Sequence, residues 1–162
     1  MAVAGLSTMA ACERTPREIV PYEANPIPDD APDDELSVTE AQVRLEPELL
    51  EVPSKLELGD TLRYVVELRN DTDEPISLDP CPAYYQAWGE SSVGVSRTSR
   101  LNCAEGPDAI GPGESQKFAM ELPLVDTEPT EGAIVWYLGA PDAARRADVT
   151  VSAEVEVVAP SG

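Results

Sequence analysis

The chain has 162 residues and a formal net charge of −20, with 31 acidic against 11 basic side chains. This length allows one domain and a tail, not two domains of ordinary size. A charge this negative argues against nucleic acid and anionic membrane surfaces as partners, because both carry dense negative charge. Histidine is absent, which excludes Ser-His-Asp triads, Cys-His dyads and blue-copper sites.

Residues 1–11 are apolar or small after the initial Met, and they end directly before Cys12. A run of about ten such residues is too short to cross a bilayer as a helix, which needs roughly 20. It has the length of the apolar region of a secretory signal peptide. We therefore predict that residues 1–11 are a signal-peptide remnant.

The residues Met9-Ala10-Ala11-Cys12 resemble the lipobox of bacterial lipoproteins. The resemblance implies that Cys12 is S-acylated with diacylglycerol, begins the mature chain and anchors it to the outer face of the cell membrane. The alternative is an irregular N-terminus with an ordinary thiol at Cys12. The cysteine count favours the lipoprotein, because three cysteines leave one to explain in an exported protein and a lipid on Cys12 leaves a pair.

Residues 12–41 have the composition of a tether. Between Glu13 and Glu40 there are nine acidic and two basic residues, with five prolines. Proline removes backbone donors and like charges repel, so such a segment buries too little to become ordered. We expect a disordered, semi-extended spacer. The acidic run DDAPDDE is interpreted as solvated; a loose calcium site is the alternative, but the glycine and terminal Glu of a twelve-residue calcium loop are missing.

In residues 42–159 the apolar residues recur at every second position, which is typical of half-buried antiparallel strands. The segment LRYVVELRN places one apolar face on alternate residues, and QKFAMELPL and DVTVSAEVEVV repeat the pattern. The inward residues predicted from this alternation are Leu62, Tyr64, Val66, Leu68, Phe118, Met120, Leu122, Leu124, Val149, Val151, Ala153, Val155 and Val157.

Seven to nine short strands, separated by turn signals such as RNDTDEP and AIGPGES, predict an all-β antiparallel sandwich. The segments LGDTLRYVVELRNDTDEPISL and IGPGESQKFAMEL resemble those of bacterial immunoglobulin-like modules. This resemblance implies an immunoglobulin-like fold and says little about function.

Cys81 and Cys103 enclose PAYYQAWGESSVGVSRTSRLN. In an exported chain a disulfide between them is the expected state, and closing a loop of this length stabilises by roughly 3 kcal/mol. A metal site is the weaker alternative, because no histidine and no CxxC pair accompanies the two thiols. We expect the bridge to staple a loop or neighbouring strands, not to pin the two sheets together.

The segment CPAYYQAWGE gathers Tyr84, Tyr85 and Trp88 beside this predicted disulfide. Aromatic side chains in a constrained loop suit contacts with sugars or proteins, since they add contact area at low entropic cost. The alternative is core packing of one face, and we favour it: Tyr84, Gln86 and Trp88 share a face, with Tyr85 on the other. The triplet Asn70-Asp71-Thr72 fits a glycosylation sequon and is interpreted as a turn.

These patterns indicate a non-catalytic, membrane-anchored lipoprotein whose sandwich binds or scaffolds components of the bacterial envelope. The expected partners are membrane lipid through Cys12 and an envelope protein or membrane complex; we expect no nucleic acid, cofactor, metal or catalytic residue. The rival hypothesis is a secreted regulator similar to immunoglobulin-fold proteinase inhibitors. A third is a hydrolase that depends on carboxylates alone.

Overall fold

The computed structural model describes residues 18–32, 36–90, 93–125, 130–139 and 150–161. The predicted signal-peptide remnant and Cys12 lie outside these residues, as does Val149. A short 3-10 turn at Gln42–Arg44 precedes ten strands. These are β1 (Glu46–Leu50), β2 (Lys55–Glu57), β3 (Thr61–Arg69), β4 (Ile76–Ser77), β5 (Ala83–Glu90), β6 (Val93–Arg100), β7 (Ala109–Ile110), β8 (Ser115–Pro123), β9 (Thr130–Leu138) and β10 (Val151–Val158).

The strands form two main sheets, one with the order β1-β3-β8 and one with the order β2-β10-β9-β5-β6. All neighbours in them are antiparallel except β2 and β10, which run parallel. In immunoglobulin nomenclature these orders correspond to A-B-E and A′-G-F-C-C′. The predicted immunoglobulin-like β-sandwich is therefore confirmed by the topology itself.

The core lies between the two sheets and uses the faces that the alternation predicted. On β3, Leu62, Tyr64, Val66 and Leu68 are buried. The predicted residues of β8 are buried as well, and so are Val155 and Val157, whereas Val151 and Ala153 are partly exposed. Alternate residues of a strand point to opposite faces, so each of these strands has one buried face.

Asn70 ties two turns together at one end of the sandwich. Its side chain is fully buried and donates from Nδ2 to the carbonyl oxygens of Glu74 and Ile110, both at 2.8 Å. Its Oδ1 accepts from the backbone amide and the hydroxyl of Thr72, at 2.9 and 2.7 Å. All the hydrogen-bonding capacity of the amide is used in holding this turn, so the interpretation of Asn70 as a turn residue agrees with the structure.

Part of the predicted tether is packed on the sandwich, in contrast to the expectation of a disordered spacer. We call residues 18–28 the N-terminal arm. Val20 is completely buried, its amide donates to the Lys117 carbonyl at 2.9 Å, and its carbonyl accepts from the Ala119 amide at 2.8 Å. Ile27 is also buried, and its amide donates to the Thr98 carbonyl at 3.0 Å.

The arm thus pairs with the edge strand β8 of one sheet and with the edge strand β6 of the other. Between these two contacts it crosses the open side of the sandwich. Asn102 fixes the crossing, since its Nδ2 donates to the Pro21 carbonyl at 3.0 Å. The physical reason for the difference from the prediction is that unpaired strand edges supply donors and acceptors. A segment of suitable shape satisfies them despite its acidic and proline-rich composition.

The end of the predicted tether is also attached. Thr39 and Gln42 form a reciprocal capping pair: the Thr39 amide donates to Gln42 Oε1 at 3.0 Å, and the Gln42 amide donates to Thr39 Oγ1 at 3.1 Å. The buried Gln42 Nε2 donates to the carbonyls of Ser77 and Pro80. The end of the predicted tether is therefore attached to the sandwich through Thr39 and Gln42.

Substitution of Asn70 by alanine tests the turn clamp. Asn70→Ala leaves the buried carbonyls and the Thr72 amide without their partner, so we expect the free energy of unfolding to fall by about 2–4 kcal/mol. The exposed Asp73 of the same turn provides the control, and Asp73→Ala should change it by less than about 0.5 kcal/mol. Urea denaturation measures both. Equal effects of the two substitutions would contradict a clamping role of Asn70.

Candidate functional site

The disulfide between Cys81 and Cys103 is present, with an S–S distance of 2.04 Å and a Cα–Cα distance of 5.9 Å. Cys81 lies just before β5 and Cys103 just after β6, so the bridge closes the base of the β5–β6 hairpin. Arg100 Nη1 donates to the Cys81 carbonyl at 3.3 Å beside it. The prediction that the bridge staples neighbouring strands, without pinning the two sheets together, agrees with this position.

Tyr84 and Trp88 face the core. Tyr84 is 1% exposed and stacks on Trp136 with ring centroids 5.6 Å apart. Trp88 is 2% exposed, and its Nε1 donates to the Val155 carbonyl at 3.2 Å. A contact role with a partner is therefore wrong for these two side chains. The core-packing alternative is the correct one, because their face of β5 points between the sheets.

Gly132 shows how closely Trp88 is packed. A Cβ atom at Gly132 would lie 3.0 Å from two ring atoms of Trp88, which is closer than ordinary van der Waals contact. The indole therefore occupies the space that a side chain at this position of β9 would need. This contact places Trp88 in the structural core of the hairpin.

Gln86 lies between Tyr84 and Trp88 on the same buried face and connects the two sheets. The Tyr64 hydroxyl of β3 donates to Gln86 Oε1 at 2.6 Å, and Gln86 Nε2 donates to the Glu121 carbonyl of β8 at 2.9 Å. Burial raises the pKa of Tyr64 well above its usual value of 10.0, and the nearby phenols of Tyr84 and Tyr22 raise it further. Burial raises the pKa of Tyr84 as well, with Tyr22 again contributing.

Tyr85 is the member of the predicted trio that reaches the outer surface. It stacks on Tyr137 of β9 with ring centroids 5.0 Å apart, and its side chain is partly exposed. On the outer face of the five-stranded sheet it lies in a patch with Ala87, Ser96, Thr98 and Val135, which are paired across β6, β5 and β9. These five side chains are uncharged, whereas the same face carries Arg100 on β6 and Glu154 and Glu156 on β10.

A small cavity lies under the N-terminal arm, between Tyr22 and the core residues Tyr84 and Phe118. Its volume is about 10 Å³, which accommodates about one water molecule. It is thus too small for an organic ligand. Among the residues that the structure describes, no group of three or more Cys, Asp or Glu side chains could hold a metal ion.

Sequence reasoning missed three residues that hold this region together. Val20 is a buried apolar residue in an acidic, proline-rich segment, and no periodic pattern marks it. Gln86 was placed on the correct face, but its partners lie 22 and 35 residues away. Asn102 binds the arm across a separation of 81 residues. For Gln86, its position between Tyr84 and Trp88 on one face of the strand was a sequence signal for burial; Val20 and Asn102 had none.

Comparison with known proteins gives likenesses in structure alone. No family model and no curated protein matches the chain. Among solved structures, the alkylpurine DNA glycosylase of Pseudomonas fluorescens bound to DNA with an abasic site analog is 16% identical (TM-score 0.47), with 70% of this chain matching 31% of that one. A beta-glucosidase of Listeria innocua is 17% identical (TM-score 0.47), with 70% of this chain matching 16% of that one.

A CARDB domain of Pyrococcus furiosus, solved with di-metal ions, is 13% identical with a TM-score of 0.46. Here 76% of this chain matches 100% of that domain. The present chain thus spans less than a third of the glycosylase and of the glucosidase. The activities of those enzymes belong to them, and the fold assignment of this chain rests on its own strand order.

The raised pKa values of the Tyr64 and Tyr84 phenols predict a loss of stability at alkaline pH. Their folded-state pKa values are raised, so only the unfolded chain ionises as the pH rises above 10, and unfolding becomes more favourable. We expect the free energy of unfolding to fall by up to about 1.4 kcal/mol per pH unit for each phenol. Below pH 9 this contribution is fully present. Urea denaturation between pH 8 and 11.5 measures the fall.

Tyr64→Phe should reduce this alkaline loss, although it lowers stability at neutral pH by removing the bond to Gln86. Tyr85→Phe is the matched control, because it retains Tyr64 and Tyr84 and should keep the alkaline loss that these two phenols cause. An identical slope for Tyr64→Phe and the unmodified chain would show that Tyr64 is not buried as described.

Proposed function

We propose that this protein is an extracytoplasmic lipoprotein, anchored to the outer face of the cell membrane through Cys12. Its immunoglobulin-like sandwich acts as a non-catalytic binding or scaffolding module in the bacterial envelope. One observation carries the proposal: Cys81 and Cys103 form a disulfide, so Cys12 is left as the single unpaired cysteine of the three.

Two physical arguments connect this pairing with export and anchoring. Disulfides persist in oxidising compartments and are rare in the reducing cytosol. A third cysteine in an exported protein with one disulfide has to be explained, and S-acylation is an explanation for a cysteine that follows a short apolar run. Among the described residues no helix is long and apolar enough to cross a membrane.

The outer face of the five-stranded sheet supports the binding part of the proposal. Charged side chains are depleted in the centre of protein interfaces and aromatic side chains are enriched there. The five uncharged residues of this face, with Tyr85 held against Tyr137, have this character. The cavity under the N-terminal arm, of about 10 Å³, has no room for a substrate. An envelope protein is the partner that we propose for this face.

Mass spectrometry of the protein from the membrane fraction of its native host tests the anchoring. We expect a mature chain that begins at Cys12 and carries a diacylglycerol group, with Cys81 joined to Cys103. In detergent phase partitioning, this chain should enter the detergent phase and Cys12→Ser should remain in the aqueous phase.

A variant that lacks the disulfide provides the control for this partitioning. Cys81→Ser combined with Cys103→Ser keeps Cys12 and should still enter the detergent phase if it folds, although it loses about 3 kcal/mol of stability. An unmodified chain that retains Met1 and three free thiols would overturn the proposal. A mature, disulfide-bonded chain without lipid in the medium would favour the secreted regulator.

A further inference from the structure

The N-terminal arm is bound to the sandwich at two places, around Val20 and Pro21 and around Asn25 and Ile27. Val20 has no exposed surface and exchanges two backbone hydrogen bonds with β8. At the other end, Ile27 donates to Thr98, and Asn25 accepts from the Arg100 amide at 3.0 Å. Between them, Asn102 holds the Pro21 carbonyl. Ile19, the neighbour of Val20, is 38% exposed.

This docking changes the length of the free tether. Along the chain, Val20 is eight residues from Cys12, whereas Gln42, where the sandwich was expected to begin, is thirty residues away. A fully extended chain spans about 3.5 Å per residue. The distance between Cys12 and the sandwich is therefore limited to about 28 Å with the arm docked, against about 105 Å for a free segment.

The position of the arm also determines which end of the sandwich lies near the anchor. Val20 pairs in parallel with Phe118, near the middle of β8, so the chain that precedes Val20 runs towards the start of β8, where the end of β3 and the start of β1 also lie. The opposite end carries β2 and the end of β10, together with Ser161, whose hydroxyl donates to Glu57 at 3.1 Å. A nine-residue strand such as β3 makes this separation about 30 Å.

We infer that the docked arm is a strap that shortens the tether and holds the sandwich next to its anchor, with the start of β8 towards the membrane. The inference rests on the proposed function for the identity of the anchor, and on the arm contacts for the short reach. It also specifies the partner. A protein embedded in the same membrane lies within this reach, whereas an envelope component farther from the membrane than the tether and one sandwich length together, about 58 Å, does not.

The two lysines of the chain can be used to measure which end of the sandwich lies nearer to the membrane. Lys117 is on β8, directly beside Val20, and Lys55 is on β2 near the opposite end. With Cys81 and Cys103 joined, Cys12 is the third cysteine of the 162-residue chain and the one left for coupling. It is therefore coupled to a maleimide phospholipid in neutral phosphatidylcholine vesicles that also contain an amine-reactive phospholipid. Peptide mass spectrometry then measures the yield of lipid on each lysine, normalised to labelling by a soluble amine reagent.

We expect lipid on Lys117 in clear excess over Lys55. Val20→Asp places a charge in a fully buried site and releases the arm. The effective concentration of a tethered group falls as about the −3/2 power of tether length, so the Lys117 yield should fall about sevenfold. Ile19→Asp makes the same change of charge at the exposed neighbour and should keep the yield of the unmodified chain. If Val20→Asp does not fold, the milder Val20→Ala should give a reduction of at least about twofold.

Equal yields for the unmodified chain, Ile19→Asp and the released variant would overturn the inference, and so would equal lipid on Lys117 and Lys55 in the unmodified chain. Because Cys12 is coupled chemically, the result does not depend on acylation in the native host. A protein that is not acylated in its host but gives the expected lysine yields would refute the proposed anchoring and leave the strap in place.

Discussion

The closure of the two open sides of the sandwich is the constraint on which the rest of the structure depends. Two packed sheets expose unpaired backbone groups at their edges, and such edges must be covered or paired. Here the chain crosses from the three-stranded to the five-stranded sheet on one side as β1 continues into β2. On the other side the N-terminal arm makes the crossing, from β8 at Val20 to β6 at Ile27. A region with the composition of a linker is thereby part of the folded domain.

The chain has few aromatic residues, and most of them are in the core and not on the surface. Aromatic residues make up 5% of the chain, and Trp136, Tyr84 and Phe118 are among its largest fully buried side chains. Large side chains dominate the energetics of a core. Because most of the few aromatic residues are needed there, few are left for a binding surface. Tyr85 remains at the surface because it lies on the other face of β5, where Tyr137 supports it.

Regular patterns made much of the fold predictable from the sequence. The alternation in β3, β8 and β10 identified strands and their buried faces, and three cysteines with one beside an apolar leader indicated the pair Cys81–Cys103. Alternation grouped Tyr84 with Trp88 and separated Tyr85, but it does not specify which face of a strand meets the second sheet. The arm was beyond prediction, because its docking depends on edges formed by strands almost a hundred residues later. The composition of the arm itself gives no information about these edges.

Amide hydrogen exchange of the full-length protein tests most directly whether the arm belongs to the fold. We predict that the amides of Val20 and Ile27, and the Ala119 amide that donates to Val20, exchange slowly, with protection approaching that of the core strands. The exposed Ile19 should exchange much faster. If Val20 and Ile27 exchanged at the rate of an unstructured peptide while β3 remained protected, the arm would be a free tether, and the account of the closed sandwich would be contradicted.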